Sequence, residues 1–186
     1  MSKNILVVHG SPRKKGNTMV LTKKAMEAIE EQNGTCEEIF LQGLDIKPCM
    51  GCDSCRKENR QYCIIKDDMK ELYPKIASCD GMLLASPIYW FTITAQLKLF
   101  IDRLYGLHIE KDNVLLNKRI GIILTYGDVD PYTSGAINAI RTLEDCFKYS
   151  KSKIEGIVYG RTREASDTEK DEELLEKAYE LGKLLM

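Results

Sequence analysis

Long apolar runs are missing from this chain: none approaches the ~20 residues that a membrane-spanning helix requires. An excess of either charge is missing too. Lys plus Arg number 27 against 28 Asp plus Glu, a formal net charge of -1, which argues against a broad nucleic-acid surface or a polybasic membrane anchor. Histidine is scarce, with two residues, and no Ser-His-Asp arrangement or carboxylate pair stands out, so the usual parts of a hydrolase are absent. Neither glycine fingerprint for nucleotides occurs. Five residues, not four, separate Gly10 from Gly16, and Asn17 stands where a triphosphate loop needs lysine. Repeats and low-complexity tracts are absent. The opening MSKNILVVHG is too short for a secretory leader and reads as a buried strand, so a cytoplasmic protein is expected.

The composition that remains is that of a folded globule, with 44% hydrophobic and 30% charged residues. The 186 residues fit a single domain, 1–186, whose core needs no disulfides. Strand-like runs at 3–10, 35–42, 80–90, 119–127 and 154–160 alternate with helical patterns at 17–33, 67–78, 94–106, 134–150 and 167–186. Pro74 is expected to kink or shorten the second helix. Strict alternation implies a parallel sheet covered on both faces. Right-handed crossovers then make it doubly wound. The expected fold is α/β, a flavodoxin-like five-stranded sheet in the order 2-1-3-4-5. Ligands of such sheets sit at the carboxyl ends of the strands, beside the switch between the first and third.

Three loops fall at that edge. HGSPRKKGNT, residues 9–18, joins the first strand to the first helix. Its glycines allow a tight backbone, while Ser11, Arg13, Asn17 and Thr18 and the helix N-terminus offer donors for a terminal monophosphate. SPIYWFT, 86–92, carries Pro87, Ile88, Tyr89 and Trp90 on a turn where a helix is expected to begin, suited to the walls and edge of a planar ring. TYGDVDP, 125–131, carries Tyr126, Gly127 and Asp128 at the same edge. His9 reads as structural, and His108 has no evident role. Lys98, Asp102 and Arg103 read as an exposed helix face or a subunit contact.

Seven cysteines in 186 residues give fewer than one per fifteen, yet residues 49–63 hold four. They read Cys49-x2-Cys52-x2-Cys55-x7-Cys63, within an insert at 47–66. The odd total and the expected cytosolic setting disfavour disulfides. The C-x2-C-x2-C core matches the start of a bacterial ferredoxin run, though the fourth spacing is longer. A [4Fe–4S] cluster, a structural zinc, and metal-free thiols that are redox-active or remnant all remain open. Cys36, Cys79 and Cys146 read as core residues.

Taken together, GSPRKKGNT at 10–18, the insert followed by DDM at 67–69, SPIYWFTITAQLKLFIDR at 86–103 and TYGD at 125–128 resemble the NADPH-dependent FMN reductase family. The insert is similar to that of its iron-sulfur flavoprotein subfamily. The resemblance implies FMN, with Ser11, Arg13, Asn17 and Thr18 on its phosphate. It also puts Pro87, Ile88, Tyr89 and Trp90 along the isoalloxazine, and Tyr126, Gly127 and Asp128 at its other edge. It implies a [4Fe–4S] cluster on Cys49, Cys52, Cys55 and Cys63, NAD(P)H as a substrate, and a homodimer or homotetramer with a small-molecule or protein redox partner. The expected function is electron transfer from NAD(P)H or a protein donor to such an acceptor, with the flavin and no side chain as the reacting group. A ferredoxin-fed electron carrier and a non-catalytic flavin- or metal-binding sensor are the competing readings.

Overall fold

The computed structural model describes residues 2–57, 62–107 and 113–186; His108 lies outside them. Its chain order is β1 (Asn4–His9), α1 (Asn17–Glu31), β2 (Thr35–Phe40), α2 (Met69–Ser78), β3 (Gly81–Tyr89), β4 (Thr92–Ile93), α3 (Ala95–Arg103), β5 (Arg119–Tyr126), α4 (Ala136–Tyr149), β6 (Lys153–Arg161) and α5 (Glu172–Leu184). The five long strands are parallel and run β2-β1-β3-β5-β6. Counted without the two-residue β4, that is the expected 2-1-3-4-5.

Alternation along the strands divides the core between two faces. Leu6, Val8, Met82, Leu84, Ile120 and Ile122 point one way, toward Leu72 and Ile76 of α2, Phe100 of α3 and Leu143 and Phe147 of α4. Ile5, Val7, Leu83, Ala85 and Ile123 point the other way, toward Leu21, Ala25 and Ile29 of α1 and Leu174, Ala178 and Leu181 of α5. Burial on both faces explains why the central strands read as continuous apolar runs rather than alternating ones.

Two expectations need correction and a third is narrowed. Pro74 lies inside α2 and neither ends it nor shortens it to that point, since the helix continues to Ser78. The ring removes one intrahelical donor, but Met69, Leu72, Tyr73 and Ile76 stay buried around it, and packing outweighs the local penalty. No helix begins directly after β3; the chain first turns back as β4, which pairs antiparallel with β3 through Ile88–Ile93 and Tyr89–Thr92. Arg103 is not exposed. It is 2% accessible, whereas Lys98 and Asp102 form an exposed ion pair one turn apart. Among the described residues, no helix is long and apolar enough to cross a membrane.

Candidate functional site

Loops from four strands converge at the carboxyl edge of the sheet around a cleft of about 330 Å³. Nine of the eleven residues singled out from sequence line it: Ser11, Arg13, Asn17, Thr18, Pro87, Ile88, Tyr89, Tyr126 and Gly127. The other two, Trp90 and Asp128, line an adjoining recess of about 180 Å³ that shares Ile88, Tyr126 and Gly127 with the cleft. The fourth loop, Thr162–Ala165 after β6, also lines the cleft and was not singled out from sequence.

The β1–α1 loop is pinned where it leaves the sheet. The Gly10 N–H donates to the Ala85 carbonyl at 2.8 Å, and the Thr94 hydroxyl donates to the Gly10 carbonyl at 2.8 Å. A β-carbon at residue 10 would lie 2.9 Å from Leu97 Cβ and 3.2 Å from the Ala85 carbonyl, so only glycine permits this approach. The Arg13 N–H then donates to Ser11 Oγ at 3.1 Å. At the start of α1, Gly16 is the flanking residue, no side chain caps the helix, and its first turn holds no acid. Free N–H groups and the positive end of the helix dipole therefore face the cleft with no acid in their own turn. That donor set, with Arg13, fits the phosphate of a mononucleotide.

All three hydroxyl and amide side chains already have partners, Ser11 through the Arg13 backbone. Thr18 Oγ1 and Thr125 Oγ1 lie 2.7 Å apart and are buried. Two hydroxyls share one proton in that bond, leaving the second proton to donate elsewhere. Asn17 Nδ2 donates to the Glu164 carbonyl at 2.8 Å, while Asn17 Oδ1 accepts from the Thr168 N–H at 3.3 Å. The Asn17 side chain is thus a strut to the fourth loop, and the residue offers the cleft its backbone N–H. That loop is itself ordered by Asp167, whose carboxylate accepts from the Arg163 and Glu164 N–H groups at 2.7 and 2.8 Å. Those bonds hold the Asp167 carboxyl below the usual range. Arg163 Nε reaches the Gly127 carbonyl at 3.3 Å.

Across the cleft, β3 and β4 form a hairpin whose two central residues, Trp90 and Phe91, have φ of 46° and 69°. Two successive positive φ values are the mark of a type I′ turn, which normally takes Asn-Gly. Bulky residues there are strained, by ~1–3 kcal/mol each, and such strain gathers at functional sites. Trp90 is 92% exposed and Phe91 53%. The tip is held from outside. Asn138 Nδ2 donates to the Phe91 carbonyl at 3.2 Å, and Gly135, at φ 79°, lets the Phe91 backbone rest on the start of α4. Tyr126 is mostly buried at the foot of the cleft, and burial pushes its hydroxyl pKa up. His9 is buried beside this edge. Its ring stacks on Phe40 at 4.3 Å and its Nε2 lies 2.9 Å from Glu38 Oε2. Burial lowers its pKa despite the carboxylate.

The four thiols of the insert are not equivalent. Cys49 and Cys52 are exposed, while Cys55 and Cys63 are partly buried. A β-carbon placed on Gly106 would lie 3.7 Å from Cys55 Cβ and 3.8 Å from Cys63 Cβ, so these two share one site at the end of α3. Burial pushes the Cys55 thiol up, with Cys63 adding to it. Hydrogen bonds from Ser54 hold the Cys52 thiol down. Among the described residues no three His, Cys, Asp or Glu side chains gather as a ligand set. The donor chemistry suits an iron–sulfur cluster, and the fold brings Cys55 and Cys63 to one place. Of the other cysteines, Cys79 is buried, as expected, while Cys36 and Cys146 are only partly so. Burial pushes Cys36 up to about 12.

Comparison with known proteins finds matches in sequence and in fold. A family model described as NADPH-dependent FMN reductase matches residues 3–149. An iron-sulfur flavoprotein of Methanocaldococcus jannaschii is 39% identical over 105 residues, 56% of this chain and 53% of its own length. The chain therefore spans about half the length of that relative. A Bacillus subtilis protein named as a candidate NAD(P)H-dependent FMN-containing oxidoreductase is 28% identical over 183 residues, covering 96% of each chain. In fold, an NAD(P)H:quinone oxidoreductase from Methanothermobacter marburgensis superposes with a TM-score of 0.78 at 16% identity, covering all of both chains.

Proposed function

This chain belongs to the NADPH-dependent FMN reductase family, and from that membership we propose an FMN-dependent oxidoreductase. It would move electrons from NAD(P)H or a protein donor to a small-molecule or protein acceptor. The observation that carries the reading is the uncapped, acid-free N-terminus of α1 opening into a cleft walled by the ends of β3 and β5. Ser11, Arg13 and Thr18, with the backbone of Asn17, would hold the phosphate. Backbone and side chains of 87–90 and 126–128 would border the ring, excluding water from its edges. When bound, FMN supplies both two-electron and one-electron redox chemistry. The protein's part is binding, orientation and shielding, and no acid or base side chain is assigned. The cytoplasm, a single domain over 1–186, and a homodimer or homotetramer complete the proposal. The exposed aromatic hairpin supports the last of these.

A [4Fe–4S] cluster on Cys49, Cys52, Cys55 and Cys63 is the finer reading of the insert. It is supported by the pairing of Cys55 with Cys63 and by the names of relatives such as the Methanocaldococcus protein. Two experiments test these readings. FMN titration followed by fluorescence should show binding weakened by several kcal/mol in Arg13→Ala with Thr18→Val, because charge-assisted phosphate bonds contribute ~1.5–3 kcal/mol each; unchanged affinity refutes the site. Anaerobic mixing with NADPH, NADH or reduced ferredoxin should then bleach the flavin absorbance with at least one donor. Bleaching without steady-state turnover would identify a sensor. For the insert, anaerobic reconstitution with iron and sulfide should load about four irons per chain and fail in Cys52→Ser; no uptake by the unaltered protein refutes the cluster.

A further inference from the structure

Among the described residues Arg103 is the largest fully buried side chain, and it does not line the cleft. Its Nη1 donates to the Lys47 carbonyl at 2.8 Å and to Asp67 Oδ2 at 2.5 Å, and its Nη2 donates to Asp67 Oδ1 at 3.2 Å. Asp67 in turn accepts from the Lys47 N–H at 2.9 Å. Lys47 opens the cysteine insert, and Asp67 is the first residue after it. One guanidinium therefore fastens both ends to each other and to α3. The Asp68 carboxylate adds a further stitch, accepting from the Asp45 N–H at 2.7 Å.

The same corner holds the inner part of the insert. Arg56 lies over the Tyr105 ring at 4.3 Å, the Tyr73 hydroxyl donates to the Arg103 carbonyl at 3.2 Å, and Cys55 and Cys63 meet at Gly106. The opposite end of α3 is fixed at the cleft. Thr94, which caps α3 by accepting from the Leu97 N–H, also donates to Gly10 in the β1–α1 loop. Arg103 lies nine positions after Thr94, a rise of about 13.5 Å along a helix.

A buried ion pair is a weak device for stability, since packed apolar side chains of the same volume do as well or better. What a bidentate Arg–carboxylate fork adds is fixed geometry. We propose that Arg103 is a positioning residue: by clasping Lys47 and Asp67 it holds the Cys55–Cys63 pair against the end of α3, at a set offset from the cleft that Thr94 anchors. The proposal builds on the thiol-site reading above, but its test needs no metal.

The experiment is timed iodoacetamide alkylation of the metal-free, FMN-loaded full chain, resolved thiol by thiol by peptide mass mapping. It compares the unaltered protein with the double variant Arg103→Leu, Asp67→Leu and with Arg103→Lys, which keeps the charge but loses the fork. In the unaltered protein Cys49 and Cys52 should react fastest. In the double variant Cys55 and Cys63 should speed up by about tenfold or more as access opens, while Cys79 stays slow and FMN affinity is unchanged. Arg103→Lys should fall between the two. Unchanged rates at Cys55 and Cys63 would overturn the proposal. So would a rise at Cys79 of the same size, which would mean general loosening. If the double variant does not fold, Arg103→Lys decides by the same criteria. Failure of the unaltered protein to take up iron would sink the cluster reading and leave this result standing.

Discussion

Gly135→Ala is the sharpest single test of how the aromatic hairpin is held. An added methyl would sit 2.5 Å from Phe91 Cα and the Phe91 carbonyl oxygen and 2.6 Å from Phe91 Cβ, and the residue would keep φ near 79°. The left-handed backbone costs an alanine about 1–2 kcal/mol. A clash with backbone, which cannot swing aside as a side-chain tip can, costs about 1–3 kcal/mol as overpacking. The stiffer unfolded chain returns about 0.4–1 kcal/mol. The net is a loss of roughly 1–4.5 kcal/mol, and at this chain length each kcal/mol moves Tm by about 2–4 °C. Urea unfolding should show a lower midpoint with an unchanged slope. Because the hairpin must lift off α4, the recess between Trp90 and Ser134 should open and FMN affinity should fall with stability. Gly43→Ala is the control, since a β-carbon there meets nothing within 4 Å. A Gly135→Ala protein within ~0.5 kcal/mol of the original, binding FMN normally, would refute the contact.

Three further outcomes are expected. Thr18→Val or Thr125→Val should each cost about 1–3 kcal/mol by orphaning the partner hydroxyl, and the double variant should cost clearly less than their sum; simple additivity in a double-mutant cycle would count against the bond. The Asp67 carboxyl sits below its ordinary pKa, because Arg103 and the Lys47 and Met69 N–H groups outweigh the opposing effect of burial. Its stabilising contribution is therefore present above the unfolded value of about 4 and is lost as pH falls through the lower folded one; Asp67→Asn should flatten the acid limb of stability measured between about pH 5 and pH 2, and an unaltered limb would exclude it. Trp90→Gly relieves a strained φ worth about 1–2 kcal/mol against a glycine entropy cost of about 0.5–1 kcal/mol. Tm should hold or rise slightly while ligand affinity falls, and a large drop in Tm would show that the ring is structural.

The strands and the binding edge were legible in the sequence because their signals are local. Ile5–Val8 and Met82–Ala85 are apolar throughout since both faces of the sheet are covered. The glycine–hydroxyl loop at 10–18 is legible because phosphate chemistry needs those groups close together in the chain. The β3–β4 hairpin was not, because Trp90 and Phe91 occupy turn positions whose usual signal is Asn-Gly; only tertiary contacts from Gly135 and Asn138 make them tolerable. Arg103 read as exposed because it follows charged Asp102, and its true partner lies 36 residues away. Thr162–Ala165 carries no motif. Its order comes from Asp167 and from Asn17, 147 residues distant. Positive φ and long-range charge pairing are properties of the assembled fold, and periodicity does not report them.

The clasp at Lys47 and Asp67 has a consequence for how such proteins diversify. When the two ends of an excursion are joined at its base, the sheet is insulated from whatever happens beyond. Lengthening a flexible loop twofold costs only about 0.6 kcal/mol of closure entropy, so residues 48–54 can be trimmed, extended or exchanged at small cost to the sheet, whereas Tyr62 and Cys63 pack on the core and are part of the architecture. The segment then behaves as a cassette. A lineage that keeps Arg103 and its carboxylate can gain, lose or retune a cysteine-based accessory by changing one loop, and a protein engineer can graft a different redox module at the same two stitches.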